Sequence, residues 1–289
     1  MEITRRLGLL RYRVVNWLLT ALLYVLIAII LVPILYMLLV SFKPRQDVIS
    51  MTAPFIPDEW HPENYVEMWG YVDFGPLFLN SLTVVGMTTV VGTFVASLAG
   101  YVLARFRFPG ADLYSLIVTG TQLVPGILFF IPLYLMFLAI KRATGIPLVG
   151  SNFGAVVLYV GFYVPISTWI LRGFFATLPP DLEEQAMVDG ATRFGAFRRI
   201  ALRLAMPGIV STAIYIFMTA WDEMFFGYLL GVMTVPVGIR RFVQGAAATQ
   251  LRYDYMAAAS VVTTIPIALM FFLLQKQFIS GLTAGAVKR

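Results

Sequence analysis

Two adjacent carboxylates, Asp222 and Glu223, follow Trp221 inside a long apolar stretch and are the residues in this sequence best suited to chemistry. Charged side chains within a membrane span are costly and usually face the bundle interior or a water-filled cavity, where a carboxylate can line a path or carry protons. Adjacent residues of a helix point about 100° apart, so we do not expect both carboxylates to line the same wall of a pore. Two interpretations stay open: one carboxylate lines a pathway or ties helices near a gate, or both lie near a helix break and bond to neighbouring polar groups.

Asn80 and Gln122 are further polar side chains at or within apolar stretches. Such amides often form hydrogen bonds between helices and nothing more, which is the simpler interpretation of both. We therefore hold Asn80, Gln122, Trp221, Asp222 and Glu223 as the candidate residues of a pathway or gate. These side chains must be positioned by the elements around them.

The composition is typical of a membrane protein. Of 289 residues, 60% are hydrophobic and 12% are charged, whereas soluble domains carry about 25% charged residues. The formal net charge is +6, and the basic residues are scattered among apolar runs. Membrane proteins carry an excess of Lys and Arg in their cytoplasmic loops, so membrane lipid is a predicted partner and nucleic acid is not. The chain has no cysteine, which excludes disulfides and cysteine nucleophiles, and no metal site is predicted. None of the four lysines follows a glycine, so the P-loop of an ATPase is missing.

Six apolar segments are long enough to cross a membrane, which takes about 20 residues. They are Trp17–Val40, Asn80–Ala104, Leu113–Leu138, Phe153–Leu171, Gly208–Val232 and Met256–Leu274. Fourteen Lys and Arg residues lie on the amino-terminal side and seven on the other side, which predicts that both termini are cytoplasmic. The first segment is too long for a signal peptide and is interpreted as a retained helix. The predicted fold is an all-α integral membrane domain over residues 17–280, with cytoplasmic segments at 1–16 and 281–289.

The loop between the first two segments, Ser41–Leu79, is too long to be a simple connector. It contains five prolines among aromatic and acidic residues. Such a segment suits either the docking of a partner outside the membrane or an ordered lid over the helix ends.

The cytoplasmic loop 172–207 has the local chemistry of two short helices. Asp181 and Glu184 have the spacing of a capping box, and Gly190 is placed to end that helix with a positive φ. Thr192 is placed to cap a second, basic amphipathic helix that runs to about Met206 and is ended by Pro207. A helical pair of this kind can transmit force to a partner, or its basic helix can lie on anionic lipid headgroups.

At this loop the sequence resembles the membrane subunits of binding-protein-dependent ABC importers. The residues that carry the resemblance are Glu184, Ala186, Asp189, Gly190, Ile200 and Leu202. Gln185 replaces the usual first Ala of the motif, and Arg203 stands where Pro is usual. Five further strings are similar to the maltose-type carbohydrate permeases, and together they extend the resemblance from Pro33 onward: Glu63–Tyr65, Asn80–Leu82, Tyr101–Phe106, Leu171–Phe175 and Gly281–Lys288.

The resemblance implies the type I ABC importer transmembrane fold and a permease that forms half of a translocation pathway. It also implies a sister permease, two copies of an ABC ATPase that bind ATP and Mg²⁺, and an extracytoplasmic sugar-binding protein, while this chain binds no cofactor itself. The coupling contacts to the ATPase would be Glu183, Glu184, Ala186, Asp189, Gly190 and Ala191. The carboxyl-terminal tail would contact the ATPase through Gly281, Leu282, Thr283 and Gly285, and the binding protein would contact Arg240, Arg241, Arg252 and Tyr253.

Two other function classes compete with this interpretation. A secondary transporter driven by protons would use Asp222 or Glu223 as the carrier, but it leaves the capped loop and the tail unexplained. An intramembrane enzyme has no support, because there is no cysteine, no histidine inside an apolar segment and no Gly-x-Ser-x-Gly context.

Overall fold

The computed structural model describes the backbone of residues 2–50, 54–244 and 251–286, and the side chains of 15–50, 54–118, 120–243 and 251–275. Within these residues the chain is helical and contains no strand. The helices are α1 (Glu2–Val40), α2 (Arg45–Ile49), α3 (Asn64–Tyr71), α4 (Phe74–Arg105), α5 (Ala111–Leu123), α6 (Phe130–Thr144), α7 (Asn152–Thr177), α8 (Asp181–Val188), α9 (Arg193–Ala196), α10 (Leu202–Leu204), α11 (Met206–Trp221), α12 (Phe225–Leu229), α13 (Val235–Gly238), α14 (Arg241–Gln244) and α15 (Tyr253–Ala286). A 3₁₀ turn at Gly126–Phe129 precedes α6, and a π-helical turn at Phe197–Ala201 separates α9 from α10.

Five helical segments of the described chain are long and apolar enough to cross a membrane. They are Val15–Val40, Phe74–Arg105, Gly126–Thr144, Asn152–Thr177 and Tyr253–Gln275. A sixth is reached when Arg193–Leu204 and Met206–Trp221, which meet at 73°, are counted as one bent span. The predicted number of six therefore holds only with this bent pair included.

Two of the predicted spans differ from the structure. The segment Leu113–Leu138 is not one helix, because α5 ends at Leu123 and α6 begins at Phe130. Pro125 lies in the break and has no N–H to continue the helical hydrogen-bond pattern. The segment Gly208–Val232 is also interrupted, since α11 ends at Trp221 and only short helices follow.

The chain divides into two compact units. The first comprises residues 1–72 and 241–262. In it Asn64 fixes the start of the loop that follows α1, because its amide donates hydrogen bonds of 3.0 Å to the carbonyl oxygens of Ser41 and Lys43. Met68 and Phe242 are fully buried there, and the ring of Phe242 stacks on Tyr71 at 6.1 Å.

The second unit comprises residues 73–240 and 263–289 and is built around α4, α7 and α11. The helices α4 and α7 form its most extensive contact. They approach closely at Gly100, where an added Cβ would lie 2.9 Å from Leu171 Cβ and 3.0 Å from the backbone nitrogen of Arg172. Small residues permit such close helix crossings within a membrane.

Among the described residues of this second unit there are two apolar clusters. One surrounds Tyr159 and Trp221, and the other surrounds Leu171 and Phe175 near the Arg105 end of α4. The second cluster also takes in Phe197 of the π-helical turn, so the loop that follows α7 is packed against the membrane helices.

Candidate functional site

The helix α8 and the corner that follows it form the best-defined local motif of the loop. Gly190 has a φ of +90°. Its N–H donates to Met187 O at 3.1 Å, and the N–H of Ala191 donates to Ala186 O at 2.9 Å. These two bonds are those of a Schellman motif, so the prediction that Gly190 ends the helix is confirmed.

The predicted capping box at the other end of α8 is wrong. The N-cap residue is Pro180, which offers no side-chain acceptor, and its carbonyl accepts the N–H groups of Glu183 and Glu184. Asp181 is therefore the first residue of the helix, where its negative charge interacts favourably with the positive end of the helix dipole.

The second half of the loop follows the prediction at its start and departs from it at its end. Thr192 caps α9, because its Oγ1 accepts the N–H of Gly195 at 3.0 Å. The helical run then passes through the π-helical turn and stops at Leu204 instead of Met206. Pro207 lies in the first turn of the next helix, α11, which begins at Met206, since a proline in the first turn gives up no helical hydrogen bond.

One face of α8 is open to a partner. Five side chains border a shallow surface depression: Asp181, Glu184, Gln185, Val188 and Asp189. Val188 is 87% exposed, although it is an apolar residue. Ala186 and Ala191, also predicted contacts, are half-buried. The depression therefore combines three carboxylates with one exposed apolar side chain. We call the five residues that border it the α8 face.

Glu183 lies on the opposite side of α8 and is only 7% exposed. Its Oε1 accepts a hydrogen bond of 2.8 Å from Arg105 Nε, and its Oε2 accepts one of 2.6 Å from the hydroxyl of Tyr101. Arg105 also donates from Nη2 to the carbonyl oxygen of Leu178 at 3.0 Å. The structure thus separates Glu183 from the α8 face, with which the sequence prediction had grouped it.

The predicted pathway group does not form one polar wall. Trp221 is buried and packs between the rings of Phe78 at 6.1 Å and Phe217 at 5.5 Å. Asp222 is exposed just after the end of α11. Glu223 is half-buried, and its Oε1 accepts the N–H of Phe226 at 2.8 Å. The carboxylates therefore lie at a helix break, as in the second of the two open interpretations, and of the two it is Glu223 that bonds to a neighbouring backbone group.

Asn80 joins three segments. Its amide donates to Met233 O at 3.0 Å, and its Oδ1 accepts a 3.0 Å hydrogen bond from the amide of Asn152. This arrangement ties α4 to α7 and to the turn before α13. Asn80 thus has the interhelical role that is the simpler interpretation of a membrane amide.

Gln122 is exposed in the last turn of α5, at the edge of a cavity of about 390 Å³. A second cavity, of about 640 Å³, lies beside the residues that follow the two helix breaks, including Ile127, Met224, Phe225 and Tyr228. The sequence interpretation missed both cavities. The Pro125-Gly126 pair is the sequence signal of the first break.

The predicted contacts to the binding protein are distributed over both units. Arg240 lies over the ring of Tyr228 at 4.5 Å in the second unit. In the first unit, Arg252 Nη2 donates to Asp254 Oδ2 at 2.7 Å and its guanidinium lies 3.2 Å from the centroid of the Tyr255 ring. Arg241 is exposed, and Tyr253 is 38% exposed at the start of α15. Residues 245–250 between them lie outside the described residues.

The predicted tail contacts fall at the end of α15, whose backbone is helical to Ala286. The predicted contact residues are Gly281, Leu282, Thr283 and Gly285, and their side chains lie outside the described part of the chain. Residues 287–289 also lie outside it. Among the described residues there is no group of three or more His, Asp or Glu side chains that could hold a metal ion.

Comparison with known proteins gives the chain its family. Residues 92–283 match the family described as "Binding-protein-dependent transport system inner membrane component". The trehalose/maltose transport system permease protein MalG of Thermococcus litoralis is 35% identical over 271 residues, 91% of this chain and 94% of the relative. The trehalose transport system permease protein SugB of Mycobacterium tuberculosis is 32% identical over 262 residues, 89% of this chain and 92% of the relative.

A solved structure supports the fold. A chain of a bacterial ABC transporter involved in the import of the acidic polysaccharide alginate matches with a TM-score of 0.72 and 21% identity, over 92% of this chain and 97% of that chain. The transmembrane fold is therefore that of type I ABC importers, and the resemblance to carbohydrate permeases is confirmed. The chain belongs to the family of inner membrane components of binding-protein-dependent transport systems, and it is a multi-pass permease subunit of the cytoplasmic membrane.

Proposed function

We propose that this chain is the permease subunit of an ATP-driven carbohydrate importer and forms half of its translocation pathway. A sister permease supplies the other half, two copies of an ABC ATPase supply the energy, and an extracytoplasmic binding protein delivers the sugar. The names of the relatives, which include trehalose and maltose transport systems, support a carbohydrate substrate. The absence of a Gly-Lys pair supports an energy source on another subunit.

The α8 face is the observation that carries this proposal. It lies on a short helix that is followed by two well-defined local motifs, the Schellman corner at Gly190 and the Thr192 cap. Its uncovered Val188 among carboxylates suits a partner groove that buries one apolar side chain within a polar rim, as interfaces between proteins do. We therefore assign the docking of the ATPase to this face.

A single substitution tests this assignment. Val188→Glu adds a fourth carboxylate to the α8 face, and because Val188 is 87% exposed the change should not disturb the fold. Desolvating that charge in an interface should weaken binding of the ATPase by at least about tenfold. The measurement is co-purification and titration of the ATPase subunit on the permease pair.

Val66→Glu is the matched control, because Val66 is 75% exposed on α3 and lies outside the loop 172–207. We expect the control to bind the ATPase like the unsubstituted chain. Equal binding by the Val188→Glu variant would show that the α8 face is not the docking surface.

A further inference from the structure

The buried Glu183 has two side-chain partners, and both of them lie on α4. Arg105 and Tyr101 belong to the last turns of α4, and Leu178 is the C-cap residue of α7. Through the hydrogen bonds of Arg105, the end of α4 is joined both to α8 and to the end of α7. We call this group of four residues the α4–α8 joint: Tyr101, Arg105, Leu178 and Glu183.

The ring of Tyr101 extends the α4–α8 joint to the second half of the loop. Its centroid lies 4.4 Å from that of Phe197 in the π-helical turn and 5.5 Å from that of Phe175 in α7. The hydroxyl and the ring of one side chain therefore contact both helical parts of the loop. Insertions of π-helical geometry are frequent at functional sites.

The connection between α7 and α8 is short and stiff. Only residues 178–180 separate the two helices, and two of them are Pro179 and Pro180. Proline fixes φ near −65°, so the linker has little freedom to absorb a displacement of α8. A force on the α8 face is consequently passed on to α4 and α7, the pair of helices with the most extensive contact in the second unit.

We infer that Glu183 is a positioning residue for transport: through Arg105 and Tyr101 it locks the ATPase-docking helix α8 to the end of α4, so that α8 and α4 move as one body. This inference rests on the proposed function. Glu184 then contacts the partner from the α8 face, while Glu183 transmits the movement inside the chain. The two neighbouring glutamates have separate tasks.

A buried ion pair is a poor means of stabilising a fold, because the desolvation of both charges offsets their attraction. Arg105 and Glu183 have side chains that are only 12% and 9% exposed. Well-packed apolar residues of similar volume could replace such a pair with little loss of stability. What apolar residues do not supply is the directional attachment of a guanidinium to a carboxylate and a carbonyl at once, which fixes orientation.

This difference gives the experiment. The complete transporter, with sister permease, ATPases and binding protein, is reconstituted in proteoliposomes, and the ATP hydrolysed per sugar imported is measured. We expect Glu183→Gln to raise this ratio about fivefold, the order of effect seen along coupled networks. The double variant Arg105→Met with Glu183→Leu leaves no unpaired buried charge and should fold, bind the ATPase and show the same loss of coupling.

Arg107→Met is the matched control, because Arg107 is exposed two residues beyond Arg105. We expect it to keep the ratio of the unsubstituted transporter. A double variant that assembles and imports sugar at the unsubstituted ratio would overturn the inference, since the ion pair would then be only structural. If the unsubstituted complex binds no ATPase, the proposed function fails instead, so the two failures are distinguishable.

Discussion

Adjacent residues of the same type do different things in this chain. Glu183 and Glu184 are neighbours on α8, yet the first is buried against Arg105 and the second is exposed, because successive helical residues point about 100° apart. Asp222 and Glu223 show the same divergence at a helix break, where only Glu223 bonds to the following turn. At the residue scale, the direction in which a side chain points decides its role as much as its residue type does.

Gly190 offers the sharpest test at this scale. Its φ of +90° is a conformation that costs an ordinary L-residue about 1–2 kcal/mol. No heavy atom of the described chain lies within 4 Å of where its Cβ would be, so the cost of a side chain is that of the backbone alone. We expect Gly190→Val to deform the corner and lower sugar uptake by the reconstituted transporter.

Gly190→Asn is the control for this prediction, since Asn tolerates positive φ far better than a β-branched residue. Uptake by the Asn variant should stay close to that of the unsubstituted chain. Full uptake by the Val variant would mean that the shape of the corner does not matter for transport.

At the scale of elements, the breaks in two spans are the main feature. The segment 113–138 passes as one span because the residues at the break itself, such as Leu123 and Val124, are apolar. A hydropathy pattern reports what lipid or protein can cover, not where the helical hydrogen bonds stop. The stops are local events at Pro125 and at Asp222, and each is accompanied by a nearby cavity or an exposed polar side chain.

The contact of α4 with α7 can be tested at Gly100. An added Cβ there would meet the Cβ of Leu171 and the backbone of Arg172, and backbone cannot move aside as a flexible side chain can. We expect Gly100→Ala to lower the free energy of unfolding of the detergent-solubilised protein by about 1–3 kcal/mol. Thermal unfolding followed by circular dichroism measures the change.

Gly86→Ala on the same helix is the comparison. In the described chain no heavy atom lies within 4 Å of that added Cβ. The better helix propensity of Ala should leave this variant as stable as the unsubstituted chain, or up to about 1 kcal/mol more stable. A Gly100→Ala variant that matches Gly86→Ala would contradict the close approach of the two helices.

At the scale of the whole molecule, the sequence predicts several local features, although not the cap at the start of α8, and it misses contacts between distant residues. The Gly190 corner and the Thr192 cap follow from residue types a few positions apart, and the structure confirms both. The pair of Arg105 and Glu183 lies 78 positions apart in the chain. Only the packing of α4 against α7 brings these two side chains together, so no spacing rule could have indicated that Glu183 turns inward.

The architecture as a whole was predictable from the apolar runs. In lipid every backbone N–H and C=O group needs a hydrogen-bond partner within the protein, and a helix provides one within a single segment. The six predicted segments therefore correspond to real helical regions, but the boundaries and breaks inside them depend on prolines, caps and tertiary contacts. The bent pair of 73° that completes the set of spans is one such case.

The energy source of transport tests the central claim most directly. Proteoliposomes containing both permeases and the ATPases are supplied with the loaded binding protein outside and ATP inside, and sugar uptake is measured with and without a protonophore. The proposed function predicts that uptake requires ATP and persists when the protonophore abolishes the proton gradient. Uptake that proceeds without ATP and collapses with the proton gradient would contradict it, and would favour a transporter driven through Asp222 or Glu223.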